Sequence, residues 1–143
     1  MKAKSNMNNE LEDIKVNIKI KLAALWTSFM FLYIYVDYFH LYMPGSINDI
    51  LAGKMYVFDI TQGALSIGLV SVTIPAVMIC LSLMMPARIN RWMNLVLAVI
   101  YIPYTLFNLS GLAWAHMIFG AIVEVIILLF IICLAWKWPQ KNV

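Results

Sequence analysis

Four long runs of apolar residues, separated by short polar breaks, dominate the hydropathy pattern of this chain. The runs cover residues 22–43, 64–85, 92–110 and 113–136, and each stops close to a proline, a glycine or a basic residue. A helix needs about 20 mostly apolar residues to cross a bilayer. Short connections make successive helices antiparallel neighbours. The pattern therefore predicts an all-α integral membrane protein, an up-down four-helix bundle of four antiparallel spans.

The composition excludes the alternative of a water-soluble domain. The chain has 143 residues, of which 64% are hydrophobic and 12% are charged. Soluble domains carry about 25% charged residues. A soluble domain of this size exposes much of its surface to water, and this chain has too few polar residues to cover that surface.

Residues 1–21 form a polar and basic segment before the first span. Residues 14–21 alternate strictly between apolar and polar types, which is typical of a strand, yet their apolar positions also fit a helical stripe. A lone strand at a lipid surface would leave its backbone unpaired. We therefore predict a cytoplasmic segment over residues 1–21, partly an interfacial helix, followed by a four-span domain over residues 22–143. In the long loop, we predict a short helix over residues 47–52 that Gly53 ends.

The basic residues predict the orientation of the chain in the membrane. With four spans, nine of the ten lysines and arginines fall on one side, and only Lys54 falls on the other. The positive-inside rule then places both termini in the cytoplasm of a multi-pass plasma-membrane protein. The net charge of +3 is thus a signal of topology, and we expect no nucleic-acid partner. The expected partners are the lipid bilayer, a small-molecule or lipid ligand, and further copies of the chain.

Five segments resemble an uncharacterised family of small four-span bacterial membrane proteins, a domain of unknown function. They are residues 12–22 (EDIKVNIKIKL), 33–39 (YIYVDYF), 44–45 (PG), 89–92 (INRW) and 135–139 (AWKWP). The likeness extends over nearly the whole chain, and the motif in the first span is its most specific part. The resemblance implies a bacterial inner-membrane protein with four spans, and it implies no catalytic residues.

Two carboxylates, Asp37 and Glu124, lie inside apolar runs, and an ionisable residue there is a functional-site hypothesis by default. In the first and fourth spans, further polar residues lie at helical spacing from Asp37 and Glu124. A third set of polar residues lies at helical spacing along the third span. With a rise of about 1.5 Å per residue, Asp37 lies about 9 Å and Glu124 about 16 Å from the outer ends of their spans. We therefore predict one ligand-binding pocket that opens to the extracellular side, with Glu124 at its floor. Its predicted lining is Tyr33, Asp37, His40, Tyr101, Tyr104, Asn108, His116 and Glu124.

Simpler interpretations compete with this pocket. His40 and His116 also fit ordinary residues of the membrane interface. Asp37 also fits a structural acid that is hydrogen-bonded to a tyrosine or a histidine. Glu124 has no cation nearby in its own helix, so it is either protonated or paired with a group on another helix.

The motifs of familiar catalysts and cofactor sites are absent from the sequence, which leaves the catalytic residues unknown. No spacing is specific for a metal or a haem, so we expect neither a metal nor another cofactor. The pattern favours binding of a small or lipid-like ligand. Three alternatives stay open: an oligomeric transporter or proton/cation relay that uses Glu124, a membrane enzyme acting on a lipid-like substrate, and a structural or accessory subunit.

Overall fold

Five helices and one short hairpin make up the regular structure of residues 14–56, 58–110 and 113–139, the parts of the chain that the computed structural model describes. The elements are α1 (Ile18–His40), α2 (Ser46–Leu51), β1 (Lys54–Met55), β2 (Phe58–Asp59), α3 (Gln62–Met84), α4 (Ala87–Phe107) and α5 (Ala115–Trp136). The two strands pair antiparallel, with Lys54 opposite Asp59. The fold is therefore mostly helical, as predicted, and the hairpin is an addition to the prediction.

Three helices, α1, α3 and α5, are long and apolar enough to cross a membrane. Each corresponds to one of the predicted spans. The third predicted span corresponds to α4, which has 21 residues but is not among those three. Its first half carries Asn90, Arg91 and Asn94, and these polar residues lower its hydropathy.

The ends of the helices differ from the predicted bounds by a few residues. Helix α1 begins at Ile18, because the side chain of Asn17 accepts a hydrogen bond from the backbone N–H of Lys19 at 2.9 Å. Residues 14–17 have no regular structure, so the predicted N-terminal helix is wrong there and holds only from Ile18 onward. Residues 1–13 lie outside the described residues. The short helix in the long loop is confirmed as α2, and Gly53 follows it with a φ of +78°.

The four long helices pack against one another in pairs. Helix α1 packs against α3 and α5, and α4 packs against α5 and α3. The central core combines aromatic and aliphatic side chains from all four: Leu22, Trp26, Phe29, Tyr33, Met78, Ala98, Tyr101, Leu128 and Ile131. Trp26, Phe29 and Tyr101 meet edge to face, with ring centroids 5.8–6.3 Å apart, a favoured aromatic geometry.

A network of buried hydrogen bonds connects α1, α3 and α4 at one end of the core. Trp26 Nε1 donates to Asn94 Oδ1 at 2.7 Å, and Asn94 Nδ2 donates to Asn90 Oδ1 at 2.7 Å. Asn90 Nδ2 then donates to the backbone carbonyl of Ser82 at 2.6 Å. All four residues are fully buried. Buried polar groups that are paired in this way hold the helices in one register.

Helices α1 and α5 approach closely where Gly120 faces Val36. A Cβ atom built at Gly120 would collide with the Cγ2 methyl of Val36. The absent side chain therefore lets the two helices approach at this level, which is one helical turn from Glu124.

We predict that Gly120→Ala destabilises the protein, because the added methyl group overpacks the contact with Val36. Overpacking of this kind costs about 1–3 kcal/mol. The measurement is thermal unfolding of the purified protein in detergent. Val36→Ala in the same chain should recover part of the loss, because it removes the methyl group that collides.

Gly68→Ala is the matched control for this substitution. Gly68 lies in α3, and nothing lies within 4 Å of the position that its Cβ would take. Its stability should equal that of the parent chain or exceed it by up to about 1 kcal/mol, because alanine is the better helix former and meets no neighbour here. Equal stability of Gly120→Ala and Gly68→Ala would contradict the close packing of α1 on α5.

Candidate functional site

A small cavity lies between α1, α4 and α5, at the end of the core opposite to the network of buried hydrogen bonds. Its lining comes from these helices and from the hairpin: Tyr33, Val36, Asp37, Tyr56, Thr105, Asn108, Leu109, Met117, Ala121 and Glu124. Its volume is about 10 Å³, which is room for about one water molecule. Pockets for drug-sized ligands have volumes of about 300–1,000 Å³. The cavity is thus far too small for a lipid-like ligand.

The two carboxylates that line this cavity differ in exposure. Glu124 is buried with 3% of its surface exposed, whereas Asp37 is exposed at the mouth. Helix α5 carries Glu124 nine residues from its start at Ala115, about 13 Å along the axis at about 1.5 Å per residue. The cavity therefore leads from an accessible acid to a buried one.

Thr105 lies at the buried end of the cavity without a hydrogen-bond partner. Only 1% of its surface is exposed, and its Oγ1 is unpartnered among the described residues. The hydroxyl is close to the carboxylate of Glu124, but it makes no hydrogen bond of normal geometry with it. A buried hydroxyl without a partner costs about 1–3 kcal/mol.

A directed chain of hydroxyl groups begins at the cavity and ends in α3. Ser71 Oγ donates to the carbonyl of Gly68 at 2.6 Å, so the hydroxyl of Tyr104 is the donor in its 2.8 Å contact with Ser71 Oγ. Tyr33 then donates to Tyr104 at 3.2 Å, and Asn108 Nδ2 donates to Tyr33 at 3.4 Å. One N–H of the Asn108 side chain donates in this series of hydrogen bonds, and its carbonyl oxygen is an acceptor.

The hairpin covers the mouth of the cavity through Tyr56. Its hydroxyl donates to Asp37 Oδ1 at 3.2 Å, and its ring stacks on His40 with centroids 4.2 Å apart. Tyr56 has a φ of +55°, an uncommon conformation for a residue with a side chain. Burial of its hydroxyl and then the charge of Asp37 raise the pKa of Tyr56 above its ordinary value, so the group stays a donor.

Four of the eight residues in the predicted pocket line this cavity: Tyr33, Asp37, Asn108 and Glu124. The other four lie around it. Tyr104 and Tyr101 do not line the cavity, and both bond to Ser71. Tyr104 donates to the Ser71 hydroxyl, and Tyr101 donates to the Ser71 backbone carbonyl. His40 supports Tyr56, and the ring of His116 lies 6.4 Å from that of Trp114. His40 Nδ1 and His116 Nε2 are buried and find no partner among the described residues.

The residues that the prediction missed are Thr105 and Tyr56. A signal for Thr105 was present, because Tyr101, Thr105 and Asn108 follow at i, i+4 and i+7 and share one face of α4. Tyr56 lies in a turn, and no periodicity connects it to Asp37. Within the described ranges, no group of three or more histidine, cysteine, aspartate or glutamate side chains lies close enough to share a metal ion.

The comparison with protein families gives one match. The family of unknown function DUF6326 matches residues 11–143. The chain belongs to this family. Comparisons with curated proteins and with solved structures give no match. The family agrees with the resemblance seen in the sequence and assigns no activity, so any function has to be argued from the cavity.

We predict that Tyr56→Ala opens the cavity to reagents from outside, because Tyr56 is the side chain that covers its mouth. The probe is Asn108→Cys, made in a chain in which Cys80 and Cys133 are replaced by serine. The rate at which a membrane-impermeant, thiol-specific reagent modifies this cysteine should rise at least about tenfold, which corresponds to a free-energy change of about 1.4 kcal/mol in the opening equilibrium.

The control is Tyr42→Ala. Tyr42 is also an exposed tyrosine near the end of α1, and it contacts Tyr38 rather than the cavity. Its replacement should leave the modification rate of the cysteine unchanged. A similar rate in all three chains would show that Tyr56 does not control access.

Proposed function

We propose that this protein is a multi-pass membrane protein with four antiparallel spans and both termini in the cytoplasm, and that it takes up a small cation from the extracellular side onto Glu124. The cation is a proton or a metal ion of about the size of a water molecule. The observation that carries the proposal is the single cavity of about 10 Å³ that is lined by both Asp37 and Glu124.

Contacts between the ends of the helices support the topology. Lys19 Nζ, near the start of α1, donates to the carbonyl of Met85, directly after α3, at 2.7 Å. Arg91, near the start of α4, donates to the carbonyl of Trp136, at the end of α5, at 3.4 Å. The same end of the molecule thus holds the start of α1, the end of α3, the start of α4 and the end of α5. This arrangement fits an antiparallel bundle.

The charges at that end support the orientation. Lys15, Lys21, Arg88 and Lys137 are exposed there, and Lys54 is exposed in the hairpin at the opposite end. A cytoplasmic location of the basic end follows from the positive-inside rule. A groove of about 310 Å³ beside Arg88, Arg91, Trp92 and Trp138 suits the headgroups of the bilayer that we propose as the partner of this surface.

The size and the polarity of the cavity favour a small cation over the lipid-like ligand that the sequence favoured. A lipid-like molecule needs a large apolar pocket. This cavity holds about one water molecule, and its titratable lining groups are Tyr33, Asp37, Tyr56 and Glu124. A cation offsets the cost of burying a negative charge at Glu124, a cost that is large for an unpaired ion. The proposal is therefore the relay alternative, restricted to uptake from one side.

We predict that two single-cysteine chains report opposite sides of the membrane. In a chain without Cys80 and Cys133, Lys54→Cys should react with a membrane-impermeant maleimide in intact cells. Arg88→Cys should react only after the cells are made permeable, because the positive-inside rule puts it in the cytoplasm. Labelling of both cysteines in intact cells would contradict the four-span topology.

We predict that Glu124→Gln removes the response of the protein to cations. In the parent chain, thermal stability in detergent should change with pH or with added metal cations, because a species that binds only the folded state stabilises it. At a concentration of 100 times the dissociation constant, the gain is about 2.7 kcal/mol. The Glu124→Gln chain should fold and lose this gain, and Asp37→Asn should weaken it, because removal of a negative charge beside the cavity lowers the affinity for a cation.

Asp59→Asn provides the control, because Asp59 is an exposed carboxylate of the hairpin that does not line the cavity. Its stability should respond to pH and cations as the parent chain does. The proposal fails if Glu124→Gln keeps the full response, or if the parent chain responds to neither pH nor cations.

A further inference from the structure

Most of the polar atoms in the side chains that line the cavity are oxygens. Glu124 offers its carboxylate, and Asp37 has one oxygen left after Tyr56 donates to the other. Asn108 offers its carbonyl oxygen and one of its two N–H groups, since the other N–H donates to Tyr33. A set of carboxylate, carbonyl and hydroxyl oxygens suits hard cations and not metals that prefer nitrogen or sulfur.

The unpartnered hydroxyl of Thr105 is the independent sign of a missing occupant. Its oxygen is buried in the lining of a cavity that Glu124 also lines, and although it lies close to the Glu124 carboxylate it makes no hydrogen bond of normal geometry among the described residues. Buried hydroxyls in proteins have a partner as a rule. A cation between Thr105 and Glu124 would use the lone pairs of both groups at once.

The buried charge at the site indicates a monovalent ion. Glu124 is the only carboxylate in the buried part of the cavity, and the neighbouring oxygens of Thr105 and Asn108 are neutral. Asp37 lies at the mouth, where Tyr56 donates a hydrogen bond to one of its oxygens. A single positive charge balances Glu124, whereas a divalent ion would leave a net charge in a poorly hydrated place.

The volume of the cavity indicates a small ion without its hydration shell. About 10 Å³ leaves room for about one water-sized sphere. A hydrated ion does not fit, and K⁺ or NH₄⁺ would have to push apart α1 and α5, which already touch through Val36 and Gly120.

We infer that the cavity binds one dehydrated Na⁺, held by the oxygens of Glu124, Thr105 and Asn108, with Asp37 at the mouth as the first group to attract the ion from outside. The inference rests on the proposed function and names the cation in it. In this inference, Na⁺ enters the cavity past Tyr56, and the carboxylate of Glu124 neutralises the charge of the ion.

The test is thermal unfolding of the purified full-length protein in detergent, in a buffer whose only cation is N-methylglucamine, titrated with NaCl. At ten times the dissociation constant, Na⁺ should raise the Tm by about 3–6 °C. KCl, NH₄Cl and CaCl₂ should give less than half of this shift. Thr105→Val, which removes the hydroxyl and keeps the shape, should weaken the Na⁺ response at least about tenfold in concentration, or about 1.4 kcal/mol.

Two further variants keep the outcome interpretable. Thr105→Ser retains the hydroxyl and should retain the Na⁺ response. Thr73→Val is the matched control, because the exposed Thr73 hydroxyl bonds only to the carbonyl of Leu69 within α3. Its response should equal that of the parent chain.

Several results would overturn the inference. These are equal shifts with Na⁺ and K⁺, a larger shift with Ca²⁺ or NH₄⁺, and a full Na⁺ response in Thr105→Val. A parent chain that responds to pH through Glu124, but not to Na⁺, would exclude Na⁺ and support the proton as the species in the proposed function. A chain that responds to neither would exclude both.

Discussion

The arrangement of the helices depends on the rule that polar groups without access to water must find partners inside the protein. Helix α4 carries several of these groups on its buried face, Asn90, Asn94, Tyr101 and Thr105, beside the apolar Leu95 and Ala98. Asn90 and Asn94 bond to α3 and α1, and Tyr101 bonds to α3. These bonds join α4 to α1 and α3. Thr105 is the position on this face where the rule is not met, and it lies in the cavity.

The elements could be predicted from the sequence because hydropathy and helix signals are local. All four apolar runs coincide with helices, and Gly53 ended α2 as its conformational freedom suggested. The start of α1 was harder, since the alternating lysines fit a strand as well as a helix. Asn17 caps the helix, so α1 begins at Ile18. This start depends on a single hydrogen bond, which the Asn17 side chain accepts from the backbone of Lys19. Short apolar strands such as β1 and β2 have no length over which a period could be recognised.

The site could be predicted in part, because helical spacing tells which residues share a face but does not tell how closely two faces approach. Spacing selected Asp37 and Glu124, which line one cavity. The size of that cavity depends on the contact of Val36 with Gly120, which no pattern within one helix encodes. Tyr56 reaches the site from a turn, so its role depends on the tertiary fold alone. The small volume of the cavity therefore depends on the packing of α1 on α5, which the sequence pattern does not show.

The two sides of the cavity differ in packing, and this difference bears on whether the proposed cation could cross the protein. The cavity opens toward Tyr56 and Asp37, whereas on its other side Trp26, Phe29 and Tyr101 pack edge to face in the buried core. The seven residues from Trp26 to Tyr33 span about 10 Å of helix α1. To pass from Glu124 to the opposite end of the bundle, an ion would have to cross this aromatic layer. Trp26 is held in the layer by its hydrogen bond to Asn94. The proposed uptake onto Glu124 therefore needs access from the side of Tyr56 only, whereas transport would require a second conformation that breaks the Trp26–Asn94 bond.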